Sequence, residues 1–157
     1  MGKFMKHYKD EKNNIFAYES DGSQDDYIKE GLVPISDEDL AILRAPTTDQ
    51  LLRQLTSERK SQERQGVTIN GIRYAGDPGN RQTLQEAIAF MEDAGLAEFP
   101  SWKCSDDEFH VDHPLADVKD AARAIGARRS QLIAAEGEYA AQIIAGTLTD
   151  LTEVVWP

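Results

Sequence analysis

The thiol and imidazole groups of this chain are concentrated in one place. Its single cysteine, Cys104, and two of its three histidines, His110 and His113, fall in the segment EFPSWKCSDDEFHVDHP, residues 98–114, together with five acidic residues and Trp102. Thiolate, imidazole and carboxylate are ligands of zinc, and a thiol beside a histidine can also make a nucleophile. Either chemistry requires the groups to meet at one point, so the strands that carry them decide the matter. Trp102, Cys104, Phe109 and Val111 alternate on either side of SDDE. With SDDE as a four-residue loop, Cys104 lies opposite Phe109 and Trp102 opposite Val111, which gathers four apolar side chains on one face of a β-hairpin. That register sends His110 to the face opposite Cys104. His113 shares the cysteine's face but lies about 13 Å beyond Phe109 along the strand, whereas zinc ligands converge within about 2.0–2.3 Å of the ion. The expectation is a core cysteine with surface histidines and no metal site.

Other candidate motifs carry no chemistry either. No serine or cysteine sits in a nucleophile elbow or a paired motif. SDGSQDD, residues 20–26, lacks the spacing and the closing glutamate of a calcium loop, so it reads as a solvated turn. AGDPGN, residues 75–80, lacks the spacing of a phosphate-binding glycine loop and reads as a connection between strand and helix. The basic stretch RKSQER, residues 59–64, is interleaved with Glu58 and Glu63 at helix-pair spacing, which predicts a salt-bridged helix surface rather than a nucleic-acid patch. The residues therefore point to no catalytic, metal-binding or cofactor-binding position, and to a protein that is not an enzyme.

The elements follow from turn and cap chemistry. Tyr8 on one side of KDEKNN, and Phe16 and Tyr18 on the other, predict an N-terminal β-hairpin. Residues 20–36 read as an extended connection. Ser36 with Asp39, and Thr47 with Gln50, are capping pairs for two helices. The second helix has Leu51, Leu52 and Leu55 and then nothing apolar through Gln65, so it should protrude, bridge two parts or fray. Asn70-Gly71 is the signature of a two-residue type I′ turn; it pairs Ile69 with Ile72 and Val67 with Tyr74. A middle helix starts at Asn80 as N-cap and ends at Gly95. A long helix runs from Leu115 to about Gly146, with Val118, Ile125, Leu132 and Tyr139 at seven-residue spacing, and Trp156 returns as an anchor. The expected class is α+β: a small N-terminal hairpin module over 1–45, a helical connector over 46–65, and a C-terminal domain over 66–157 in which two hairpins pack with the middle helix and the long helix.

Seventeen basic residues against 28 acidic ones leave a net charge of −11, which opposes binding to phosphate backbones and anionic membranes. No apolar run of signal-peptide or membrane-spanning length occurs. A cysteine without an intrachain disulfide partner fits a reducing compartment.

The stretch KHYKDEKNNIFAYESDGSQDDYIKEGLVPISDEDLAIL resembles the N-terminal region of bacteriophage and prophage tail-fibre assembly proteins, which open with a Tyr-rich hairpin and a Ser/Thr-capped acidic helix. RQGVTINGIRYAGDPGNRQTLQEAI, SWKCSDDEFHV, the long helix and the terminal VVWP are similar to a domain of unknown function that recurs in phage tail-associated proteins. The pattern departs from this chain at Cys104, where a small residue such as Ala is expected. The resemblance implies a tail-fibre chaperone or accessory that helps the receptor-binding end of the fibre fold and trimerise. Its setting would be the host cytoplasm during assembly, with retention in the virion tail as the second location. A permanent structural component of the virion and an acidic decoy for a host protein are the alternatives. The implied partner is the tail-fibre protein, with no cofactor, nucleic acid or membrane involved, and the long helix offers a homo-oligomer contact. Phe16, Tyr18, Tyr27 and Ile28 are the candidate partner-binding residues, because aromatics outside a main core are typical interface anchors; packing of the small module is the other reading of the same residues.

Overall fold

The computed structural model describes residues 4–157. The fold is α+β, and the chain forms two compact units that divide between Pro46 and Thr47.

The first unit holds a three-stranded antiparallel sheet of order β2-β1-β3, from β1 (Met5–Lys9), β2 (Ile15–Glu19) and β3 (Val33–Pro34). Tyr8 pairs with Phe16 and Lys6 with Tyr18, so these side chains share one face. The β1–β2 turn is held by Asp10, whose carboxylate accepts from the backbone N–H groups of Lys12 and Asn14, both at 2.9 Å. Residues 20–36 are less simple than an extended connection. They contain a 3-10 turn at Asp25–Tyr27, and β3 adds to β1, with Ile35 N–H donating to the His7 carbonyl at 2.9 Å. Helix α1 (Asp37–Arg44) begins at Ser36, whose hydroxyl accepts from Asp39 N–H at 3.0 Å, and buries Leu40.

The second unit opens with α2 (Thr48–Gln65), started by a complete Thr47/Gln50 capping box. Read from sequence as a connector, α2 instead lies within this unit. Leu51 and Leu55 join Ile143 and Leu148 in one core cluster. The polar half neither protrudes nor frays, because the same face continues in charged form at four-residue spacing. Glu63 is only 8% exposed, and it faces Arg59 at 2.5 Å, Arg129 at 3.3 Å and Arg81 at 3.6 Å. Arg59 also reaches Glu136 of the long helix at 2.5 Å.

Next comes the hairpin of β4 (Val67–Ile69) and β5 (Ile72–Tyr74), with Ile69 opposite Ile72 and Val67 opposite Tyr74. The cap of helix α3 (Pro78–Asp93) lies three residues earlier than expected. Asp77 is the N-cap, accepting from Asn80 N–H at 3.0 Å, and Pro78 opens the first turn. The Asn80 side chain instead donates to the Ala75 carbonyl. A second hairpin, β6 (Glu98–Lys103) and β7 (Phe109–Pro114), leads into α4 (Leu115–Ala145). The N-terminal half of α4 packs Val118, Ala121 and Ile125 against Tyr74 and Leu84, and its C-terminal half packs against α2. Trp156 closes the second cluster edge-on to Tyr139, ring centroids 6.2 Å apart. No helix among the described residues is long and apolar enough to cross a membrane.

Candidate functional site

The β6–β7 hairpin adopts a different register from the one its apolar pattern predicts. Trp102 lies opposite His110, Lys103 opposite Phe109 and Ser101 opposite Val111. The turn is the reason. Cys104 N–H donates to the Glu108 carbonyl at 2.9 Å, Asp107 N–H donates to the Cys104 carbonyl at 3.1 Å, and Asp107 takes a left-handed φ of 64°. The loop is thus three residues long, a tight turn followed by a bulge residue, rather than the four of SDDE. A slip of one residue turns a whole strand over. Phe109 and Val111, expected inside, are 70% and 76% exposed, and the Lys103 ammonium sits 5.9 Å from the Phe109 ring centre.

The same slip corrects the separation expected of Cys104 and His110. Cys104 and Glu108 are now directly opposed across the base of the turn, and His110 lies two residues along β7 from Glu108, on the same face. Their ligand-type atoms, Cys104 Sγ, a Glu108 carboxylate oxygen and a His110 ring nitrogen, all lie within 4.8 Å of one another. Cys104 is buried, His110 half-buried and Glu108 exposed. The turn is anchored to β5 and the residue after it: Ala75 N–H donates to Ser105 Oγ at 2.8 Å, and the Arg73 guanidinium reaches Asp106 at 2.6 Å and the Ser105 carbonyl at 3.1 Å.

Behind this trio lies an aromatic layer. The pairing has no bridge between Pro100 and Asp112, and Asp112 has a φ of 50°. The strands are kinked there, which brings His113, expected on the surface, to the face of Trp102. Its imidazole is 2% exposed and stacks on the Trp102 ring at 5.6 Å and 20°. His113 Nε2 lies 2.6 Å from the Tyr74 hydroxyl. Burial, together with the nearby Asp117 and Cys104, pushes the Tyr74 hydroxyl up to about 12. Burial also holds His113 below its ordinary value; Asp117 opposes that shift and His110 adds to it. A phenol kept protonated and an imidazole kept neutral share this hydrogen bond, and the tautomer of His113 sets which of the two donates. His110 Nε2 and Trp102 Nε1 are buried with no hydrogen-bond partner among the described residues.

In the first unit the expected partner-binding residues are arranged as follows. Phe16 and Tyr18 share a half-buried face with Tyr8, which meets Tyr18 edge-on at 5.7 Å. Phe16 lines a solvent-open hollow of about 540 Å³ with Lys29, whose ammonium lies 5.7 Å from its ring centre. Tyr27 is 75% exposed, while Ile28 is half-buried. Glu108 escaped the sequence reading as a site residue, while Glu63 entered it only as a surface salt-bridge residue and Tyr74 only as a hairpin position. For Glu108 the signal was available, in an aspartate placed where a three-residue loop needs a left-handed residue.

No curated protein and no solved structure matches this sequence. Residues 46–155 match a family described as a domain of unknown function, DUF4376. That stretch is most of the 157-residue chain and spans the whole path from α2 through the β6–β7 hairpin to the tail of α4, so the chain belongs to that family.

Proposed function

We propose that this protein is an accessory of bacteriophage tail-fibre assembly, whose first unit binds the fibre protein's receptor-binding end and assists its folding and trimerisation. The observation that carries this reading is the incomplete burial of the first unit. Leu40 is its one buried side chain among the described residues, while Tyr27, Val33 and Ile42 are 75%, 57% and 67% exposed. Strands β2 and β3 are the two outer members of its sheet, and the exposed Val33 lies on β3. An outer strand in a unit with exposed apolar groups is the arrangement that accepts an added strand from another chain. An unassembled fibre tip exposes unpaired strand edges and trimer-forming apolar surface, and an acidic partner would cover these while staying soluble itself. The sequence resemblance to tail-fibre assembly proteins supports the same role.

Co-expression with the tail-fibre protein of the same phage tests the proposal, with soluble fibre trimer as the readout. Trimer should accumulate with the wild-type protein. Its yield should fall about tenfold or more with the Phe16→Ser/Tyr27→Ser double variant, as for loss of an aromatic interface anchor. Equal trimer without the protein would overturn the assembly role. Full activity of the double variant would remove the assignment of the contact to these residues.

A further inference from the structure

We propose that the β6–β7 turn is a zinc site, with Cys104 Sγ, a His110 ring nitrogen and a Glu108 carboxylate oxygen as protein ligands and a fourth position left to water. The proposal concerns the second unit and stands apart from the assembly reading.

Three observations carry it. The donor atoms already lie within 4.8 Å of one another. In a tetrahedral zinc site, bonds of about 2.0–2.3 Å separate the ligands by about 3.5 Å. Closing the site therefore asks for about 1 Å of movement at the ends of side chains, and Glu108 is exposed and able to supply it. Secondly, His110 Nε2 is buried without a hydrogen-bond partner, a cost that an apolar side chain at this position would avoid. Thirdly, the backbone is organised in advance. Cys104 and Glu108 are joined across the turn at 2.9 Å, and Arg73 and Ala75 hold Ser105 and Asp106 to β5. The same hairpin thus supplies all three ligands on one face, without a long loop having to close.

The donor set selects the ion. A thiolate with an imidazole suits zinc rather than calcium or magnesium, which take oxygen ligands. Thiolate and carboxylate together balance the two charges of the cation, and binding releases the thiol proton to solvent. His113 lies outside this trio of ligand atoms, and its Nε2 is engaged by the Tyr74 hydroxyl at 2.6 Å.

The test uses the full chain, tag-free and stripped with a chelator. Cobalt titration should give the near-ultraviolet thiolate-to-cobalt charge-transfer band and saturate at one equivalent, and zinc should displace the cobalt. Cys104→Ser should abolish the band. Because Cys104 is buried and that variant could unfold, Glu108→Gln at the exposed position is the second probe. It should weaken zinc binding about 10–100-fold, on the scale of losses at supported metal ligands, with the far-ultraviolet circular dichroism unchanged. Absence of the charge-transfer band, or one-equivalent binding unchanged in both variants, would overturn the site.

Discussion

Glu63 is the residue that makes the charged half of α2 an interior surface. With 8% of its surface exposed, it faces three guanidinium groups, of which Arg59 is the most enclosed and Arg129 the least, at 12% and 45% side-chain exposure. Removing the carboxylate takes this partner from Arg81 and Arg129 and leaves Arg59 with Glu136 alone. A fully buried pair broken in this way costs about 3–5 kcal/mol. Here partial exposure of Arg81 and Arg129 lets water screen some of the loss. Glu63→Ala is expected to destabilise the protein by about 2–4 kcal/mol, read as a lower urea midpoint at unchanged slope. A loss below about 0.5 kcal/mol, the range of ordinary surface changes, would show that the network adds nothing. Sequence spacing anticipated salt bridges on this helix and placed them on its surface. Which side of an amphipathic pattern faces inward is normally read from apolar residues, and here they stop at Leu55.

At the scale of elements, the two hairpins of the second unit show when a register is legible. In β4–β5 the Asn70-Gly71 turn takes φ values of 49° and 83°, so the turn and the apolar alternation specify the same pairing. In β6–β7 the two signals conflict. The apolar pattern asks for a four-residue loop, the turn closes at three, and Phe109 and Val111 are left in solvent. The decision comes from Arg73 of β5 and from Ala75 just after it, which bind the turn, and from Tyr74, which captures His113. None of the three is near the hairpin in sequence. The junction of α2, β4–β5 and α3 depends on glycine for a comparable reason. A Cβ at Gly66 would lie 1.8 Å from the Tyr74 carbonyl oxygen, and one at Gly76 would lie 2.1 Å from the Glu63 carbonyl oxygen. Gly76→Ala forces two backbones apart and is expected to cost more than about 4 kcal/mol or to prevent folding. Gly79→Ala, whose nearest neighbour is the Asp77 side chain at 3.3 Å, is the control with a much smaller effect. Comparable thermal midpoints for the two would refute the tight junction.

At the scale of the whole chain, α4 unites the second unit. One half belongs to the cluster of Tyr74, Leu84, Val118, Ala121 and Ile125, the other to the cluster of Leu51, Leu55, Ile143 and Leu148. Leu132 lies between the two halves at 0% exposure. A continuous helix shared by two clusters transmits the loss of either to the other, so the unit should unfold in one transition. Leu84→Ala in the first cluster and Leu55→Ala in the second are each expected to lose about 2–5 kcal/mol from that same transition. Separate transitions for the two variants in calorimetry would show that α4 does not couple them.

The amino-acid sequence by itself determined the α+β class, the order and approximate limits of the helices, the first two capping pairs and the register of β4–β5. Each of these rests on interactions within a few residues, where spacing, turn chemistry and cap hydrogen bonds act directly. The tertiary structure decided the rest. It drew α2 into the second unit, turned the β6–β7 strands over, and gathered Cys104, Glu108 and His110 on one face. Those outcomes depend on groups remote in the chain, among them Glu136, Arg73 and Tyr74, whose charge or hydrogen bonding outweighs local apolar patterning once the fold brings them close.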